Sequence, residues 1–249
     1  MSPKNTETLD LIHQLQSIKE YELKEISLND LENILQAAVR AANASARQSY
    51  SIIVVRDTEK LKKYFYGANK ALIICVDYNR LIRCAEHLNH PYDYYNMFGF
   101  ITGSTDAILV AQTAVIAAKS LGIDSLFTNC LHRAPFEEVQ QEFNLPEKHC
   151  FPLISICLGY RKSDPAFKKG RLAGPGVIHY DKYHALTDQE AEDLVAEYND
   201  QEKHLGLTYK YEEPHYLDWF YLKWSQNRYG VEKGKKMTEL LKNLGFIQE

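Results

Sequence analysis

The chain has 249 residues, 45% of them hydrophobic and 25% charged, with a formal net charge of -4 and a pI near 6.2. That balance predicts an ordinary globular core in one domain with additions. It excludes the basic excess by which a surface attracts a phosphate backbone, so nucleic acid is not an expected partner.

The opening MSPKNTETLD has no basic stretch followed by an apolar one, so no secretory signal is read and the cytoplasm is the expected compartment. Five cysteines, Cys75, Cys84, Cys130, Cys150 and Cys157, are odd in number and form no C-x-x-C pair, which argues against a disulfide framework. Three of them stand in apolar, strand-like runs and read as buried thiols.

Leu9, Ile12 and Leu15 recur at helical spacing and predict a first helix over about residues 6 to 15. A second helix follows Ser27, where Ser27-Leu28-Asn29-Asp30 has capping-box spacing and Leu31, Ile34, Leu35, Ala38 and Val39 form an apolar face. The runs SIIVV (51–55) and ALIICV (71–76) predict two strands of one sheet, linked by a charged helix over residues 58–66. Residues 103–121 are small or apolar nearly all round and end before Gly122, a C-cap by type and place. Asp106, Gln112, Thr113 and Lys119 make this run a poor membrane span, so it is expected as a central helix packed on a sheet and on a second subunit.

A strand at 125–129, a helix at 136–143 and a strand at 153–158 complete an α+β pattern with a central mixed or antiparallel sheet. A capped helix is predicted after Thr187-Asp188-Gln189-Glu190. The tail from about Tyr209 carries Tyr216, Trp219, Phe220, Tyr221, Trp224 and Tyr229 and ends in a basic amphipathic helix. The expected division is a core at 1–184 and a helical, aromatic-rich extension at 185–249.

Three separated segments carry the chemical signal. They are Leu15-Gln16-Ser17-Ile18-Lys19, the stretch Ala42-Asn43-Ala44-Ser45-Ala46-Arg47-Gln48-Ser49-Tyr50, and Lys168-Lys169-Gly170-Arg171-Leu172 after the strand ending in Leu158-Gly159-Tyr160. In this order the sequence resembles the nitroreductase family over roughly residues 11 to 184. The family's Arg-x-Ser-x-Arg/Lys, Pro-Ser-Ser-x-Asn-x-Gln-Pro-Trp and Lys-x-Arg motifs correspond to the three segments. The DAILVAQTAVIAAKSLGIDSLF stretch and the following P-F-E-E-V-x-x-x-F-N-L-P segment match its central helix and flavin-face region.

The resemblance implies an FMN-holding, NAD(P)H-linked oxidoreductase that reduces a small acceptor such as a nitroaromatic or quinone, built as an intertwined homodimer. It places Ser17, Lys169 and Arg171 on the FMN phosphate, a dianion that needs cations and hydroxyl donors. Lys19 falls at the position beside flavin N1 and the C2 carbonyl, where a cation favours the reduced ring. Asn43, Ala44, Ser45 and Arg47 would approach the flavin from the other subunit. Leu131, His132 and Arg133 form the loop whose backbone N–H faces N5, and no residue beyond the flavin is assigned a catalytic role. Leu15, Ala42 and Ala46 depart from the family's arginine, proline and asparagine. One charge-assisted contact is worth about 1.5 to 3 kcal/mol, so losing the arginine weakens FMN binding tenfold or more unless another group replaces it.

Other readings of the same residues stay open. Ser17 and Lys19 could decorate a helix C-terminus, residues 43–48 could be a polar turn, and Lys168 to Arg171 could be solvated surface. Cys84, His87 and His90 have a spacing that suggests zinc, but no fourth ligand is evident and residues six apart diverge on a helix, so no metal is expected. Tyr92, Tyr94, Tyr95, Phe98 and Phe100 could line a substrate pocket or only pack. Two alternatives to the NAD(P)H enzyme remain: a flavin-binding or sensory protein with little turnover, and a flavin enzyme reduced by a protein electron donor.

Overall fold

The computed structural model describes residues 6–248. Met1–Asn5, half of the opening segment read for a targeting signal, lie outside them. The chain divides into two compact units, one running to Asp164 and resuming at Thr238, the other spanning Pro165–Met237.

The first unit is built on a four-stranded antiparallel sheet in the order β1-β2-β4-β3, from β1 (Tyr50–Val55), β2 (Lys70–Asp77), β3 (Asp124–Thr128) and β4 (Cys150–Gly159). The α+β expectation is met, and the sheet is antiparallel throughout its strands. Its one parallel element is an isolated bridge between Ser17 and Ser125. Side chains alternate across a strand, and β2 shows what that does here. Leu72 and Ile74 enter one apolar cluster, while Ala71, Ile73 and Cys75 enter a second on the opposite face. Both faces are therefore covered by helices, and β2 is an almost unbroken apolar run for that reason.

The first cluster is closed by α2 (Leu28–Ala38) and α5 (Met97–Ser120), the second by α3 (Thr58–Tyr64) and α6 (Phe136–Phe143). Side-chain caps stand at the starts of these helices, at Ser27 as predicted. Thr6 caps α1 (Glu7–His13), Ser27 Oγ accepts from Asp30 N ahead of α2, and Asp57 caps α3. A further helix, α4 (Asn79–His87), was not predicted from the sequence. It is short and has no fully buried residue, and its apolar side is only Leu81, Ile82 and Ala85, all half-buried, too brief a stripe to be read as a helix.

α5 ends in a Schellman arrangement: Gly122 lies at φ +73°, its N–H bonding Lys119 O at 3.0 Å, and Ile123 N bonds Ala118 O at 2.9 Å. Its buried face includes Gly99, Gly103, Asp106, Ala107, Val110, Ala111 and Ala114. Small residues there bring the helix backbone close to the sheet. A Cβ on Gly103 would lie 2.8 Å from Val76 Cγ1 and 3.1 Å from Ser49 O. The opposite face is uncovered in the single chain, with Phe98 80%, Ile101 58% and Ile108 53% exposed. By length and composition α5 is also the one helix among the described residues long and apolar enough to cross a membrane.

The chain end returns to this unit. His149 N donates to Leu244 O at 2.9 Å, and Phe246 is fully buried against Tyr78, Phe100 and His149. Tyr92 and Tyr94 pack edge to face at 5.4 Å, and Tyr95 lies over His149 at 3.9 Å. Tyr94 and Phe98 are exposed, so this group both packs and presents surface. Cys75, Cys150 and Cys157 are buried thiols as read, and all five cysteines are free.

In the second unit, α7 (Asp188–Asn199) starts with a full capping box between Thr187 and Glu190. α8 (Tyr216–Trp219), a π-helical turn at Phe220–Ser225, α9 (Gln226–Tyr229) and the first part of α10 (Val231–Asn243) follow. Tyr216 is its anchor. The ring packs with Tyr198, Tyr211 and Trp219, and the hydroxyl accepts from Leu207 N at 2.9 Å. The aromatic tail thus packs largely on itself.

Gly103→Ala is expected to lower unfolding free energy by about 1–3 kcal/mol, because overpacking against Val76 and the Ser49 backbone outweighs alanine's better helix propensity. Chemical denaturation checks this, and an unchanged or raised stability would contradict the close helix–sheet approach.

Candidate functional site

After α1 the chain crosses to the sheet edge and runs beside β3. Ile18 N donates to Ser125 O at 2.9 Å, Glu22 N to Tyr160 O at 2.8 Å, and Lys162 N to Glu20 O at 3.1 Å. In this extended strap alternate side chains face opposite ways. Ile18 enters the core, 4% exposed, while Ser17 and Lys19 on either side face outward. Among the described residues, neither the Ser17 hydroxyl nor the Lys19 ammonium has a hydrogen-bond or ion-pair partner. Leu15 packs against the first apolar cluster, so that position adds no cation.

The strap is pinned from behind. The Tyr21 hydroxyl donates to Ile18 O at 2.6 Å, and burial, with Cys157 and Asp124 near, pushes that phenol far up, so it stays a donor. Asp124, 6% exposed, takes Arg161 Nε and Nη2 on its two oxygens at 2.8 Å each and Lys119 Nζ at 3.0 Å. Burial works to raise the Asp124 carboxyl, but hydrogen bonds from Arg161 and Lys119 override it and hold the group below the ordinary carboxylate value. Arg161 also pairs with Tyr21 across an antiparallel bridge, so the knot sets where the strap lies.

The second segment is a loop of unusual backbone between α2 and β1. Ser45, Ala46 and Gln48 lie at φ +54°, +55° and +51°. Left-handed conformations cost non-glycine residues about 1 kcal/mol or more each and persist only where the surroundings fix them. Here Ala44 N donates to Asp106 Oδ1 at 2.8 Å and Ser49 N to Asp106 Oδ2 at 3.2 Å. Gln48 N donates to Asn43 Oδ1 at 3.2 Å, and Arg80 Nη2 reaches Arg47 O at 2.7 Å and Gln48 O at 2.6 Å. Asn43, Ala44 and Arg47 are half-buried and Ser45 is exposed, so the loop presents a formed surface. Sequence reading missed the parts of Asp106 and Arg80. Asp106 showed only as a charge in an apolar run, and Arg80 lies in α4, which was not read as an element.

Leu131, His132 and Arg133 lie in a short 3-10 turn, Cys130–Arg133, at the end of β3. Leu131 is buried, and His132 Nε2 donates to Pro152 O at 2.7 Å with its ring beside Phe151. The His132 N–H is used within the turn, on Asn129 O at 3.1 Å.

Lys169 and Arg171 belong to the second unit. Lys169 Nζ bonds Gly206 O and lies 5.2 Å from the ring centroids of Phe167 and Tyr209. Arg171 is exposed, and Nη1 donates to Gly170 O at 2.7 Å. Gly170 permits the close approach that holds this segment, since a Cβ there would lie 2.1 Å from Lys203 O. The zinc spacing is not assembled: Cys84 and His87 are on α4 and His90 is beyond its end. No group of three metal-ligating side chains occurs among the described residues.

Residues 12–81 match the model of the nitroreductase family. The chain is 29% identical over 202 residues to a Cr(VI) reductase of Pseudomonas sp. strain G-1, covering 77% of this chain and 80% of that one. It is 29% identical over 198 residues to an NADPH-dependent oxidoreductase of Staphylococcus saprophyticus, covering 75% and 78%. The solved structure of B. megaterium NfrA2 superposes with a TM-score of 0.84 at 26% identity, covering 98% of this chain and all of that one.

A carboxyl with a depressed folded-state pKa stabilises the fold above its unfolded value, and that contribution is lost as pH falls through the folded value. Arg161→Ala leaves Asp124 buried with Lys119 alone, so its carboxyl rises. The variant is expected to lose roughly 1.5–3 kcal/mol at neutral pH and to unfold at higher pH in an acid titration followed by circular dichroism. An unmoved acid midpoint would contradict the knot.

Proposed function

The chain belongs to the nitroreductase family and is an oxidoreductase, and from that premise we propose that it holds FMN and uses NAD(P)H to reduce a small acceptor such as a nitroaromatic or quinone. The observation that carries this reading is the strap. A hydroxyl and an ammonium two residues apart face outward without partners among the described residues, fixed from behind by the Asp124 knot. Fixed donors whose partners are missing suit a phosphorylated, electron-accepting ligand, because no reorganisation is needed when it arrives.

FMN, when bound, supplies a ring that accepts and returns two electrons. The chain's own residues hold and bias it. Ser17, Arg171 and Lys169 take the phosphate, Lys169 keeping a further interaction with Gly206 O. Lys19 places positive charge where negative charge develops on reduction. The Asn43–Arg47 loop and the Leu131–Arg133 turn supply backbone and side-chain donors to the ring. NADPH as donor is supported by the name of the Staphylococcus relative.

The same reading makes the protein a cytoplasmic homodimer, with Asn43, Ala44, Ser45 and Arg47 serving the partner's flavin. The exposed stripe of Phe98, Ile101 and Ile108 on α5 supports a subunit interface, since covering one such side chain is worth about 1.5–3 kcal/mol. Asp106 argues against a bilayer for this helix, because its carboxylate is committed to backbone N–H groups of the same chain. The division into a core at 1–184 and an extension at 185–249 stays part of this proposal, with the phosphate-facing Lys169 and Arg171 counted in the core.

One observation favours a second reading, a flavin-binding protein with little turnover. Leu15, packed in the core, leaves the phosphate short of one cation.

Purified protein is expected to be yellow and to bleach anaerobically with NADPH or NADH. Yellow protein that no nicotinamide bleaches selects the second reading, and protein that stays colourless after added FMN removes both. Arg171→Ala should lower FMN occupancy at least tenfold, read by absorbance, and unchanged occupancy would remove that residue from the phosphate site. Ile101→Glu with Ile108→Glu should convert the dimer to monomer in sedimentation and reduce FMN uptake with it. A variant still dimeric would place the interface elsewhere.

A further inference from the structure

The loop between α2 and β1 cannot keep its shape unaided. Three of its non-glycine residues, Ser45, Ala46 and Gln48, are left-handed, and an isolated chain rarely holds such residues in sequence. Two side chains from other elements meet its backbone. Asp106, 1% exposed, divides its carboxylate between the loop's two ends, Oδ1 on Ala44 N and Oδ2 on Ser49 N. Arg80, exposed at the start of α4, closes from the other side by giving Nη2 to Arg47 O and Gln48 O. One group gathers N–H groups and the other gathers carbonyls. The four residues between Ala44 and Ser49 are thereby clamped by charges of opposite sign.

We propose that Asp106 and Arg80 are positioning residues for the cofactor loop: together they hold Asn43–Arg47 in the left-handed form that meets the flavin, without touching the flavin themselves. This rests on the FMN reading above and adds to it the device that preorganises one wall of the site. Arg80 lies in none of the stretches that carry the family resemblance, and Asp106 opens the central-helix stretch, where the resemblance gives it no role. A carboxylate is required at 106 because both groups it meets are donors. An asparagine there offers one acceptor and turns its NH2 toward the remaining N–H. At Arg80 a planar guanidinium can bridge two adjacent carbonyls, which alanine cannot.

The test compares wild-type, Asp106→Asn and Arg80→Ala proteins, each with and without FMN. FMN binding is read by quenching of flavin fluorescence, loop order by hydrogen exchange in a peptide covering residues 41–50, and ring environment by visible circular dichroism at saturating FMN. Asp106→Asn is expected to raise the FMN Kd tenfold or more, speed exchange of residues 43–49 and change the visible dichroism, with exchange in β2 and β4 unaltered. Loss of general stability alone would speed exchange in the strands as well and leave the bound-flavin spectrum as it was, which overturns the positioning role. Arg80→Ala should raise Kd about three- to tenfold with the same local loosening.

Wild-type Kd and wild-type exchange in Asp106→Asn overturn the proposal. Should that variant not fold, Arg80→Ala, altered only at an exposed side chain, decides by the same two readouts. Should wild-type protein take up no FMN, the FMN reading fails. The clamp is then judged by exchange alone, faster loop exchange in either variant supporting it and wild-type exchange in both overturning it.

Discussion

A carboxylate in the middle of a 24-residue apolar helix is the constraint around which this protein is arranged. Burying an ionised group costs several kcal/mol unless hydrogen bonds replace its water. Among the described residues Asp106 finds those bonds on the Ala44–Ser49 loop, so α5 must turn that side inward. The helix's rotation then follows from its periodicity. Gly99, Gly103, Val110 and Ala114 share the inward side with Asp106, while Ile101 and Ile108 are carried to the outward side. The close approach to the sheet, the shape of the loop and the outward apolar stripe are three consequences of one buried charge.

The strap beside β3 applies the same economy in reverse. There the buried charge is Asp124, and its two cations satisfy it completely enough to keep it ionised against the pull of burial. With that carboxylate neutralised locally, Lys19 is not drawn inward and stays available at the surface. An overall acidic chain thus leaves Lys19 without an ion-pair partner among the described residues by pairing the nearby carboxylate with other cations. Lys70 on Glu25 and Lys63 on Glu138 and Glu142 are committed in the same way elsewhere on the unit.

Much of the fold was legible because its signals are local. Ser27 and Thr187 cap the helices they precede, Gly122 ends α5, and the β-branched runs are strands. What escaped was either patternless or long-range. α4 offers only the brief stripe of Leu81, Ile82 and Ala85, and the π-helical turn at Phe220–Ser225 has no sequence signature of its own. Of the site, Ser17 and Lys19 could be placed by motif, but the reason they face outward is the bridge to Ser125, which lies more than a hundred residues away. The Asp106 contacts span 62 and 57 residues. No local pattern announces a pairing at that distance, and an aspartate in an apolar run reads equally as an interruption or as a tether.

Ser49 shows how a departure from a motif can be a gain. In the nine-residue pattern that Ala42 to Tyr50 resembles, this place is a proline, and a proline has no N–H to give. With proline here Asp106 would hold the loop through Ala44 alone. Serine supplies the second donor at the cost of a buried Oγ that has no partner, a penalty of about 1–3 kcal/mol. A bond to an ionised acceptor is worth about 1.5–3 kcal/mol, so the exchange is near neutral for stability. What it changes is the number of fixed ends on the loop, from one to two. The neighbouring departures, Ala42 for proline and Ala46 for asparagine, remove from the loop rigidity and a polar side chain, so in this chain Asp106 and Arg80 add from outside to the loop's own bond from Gln48 N to Asn43 Oδ1.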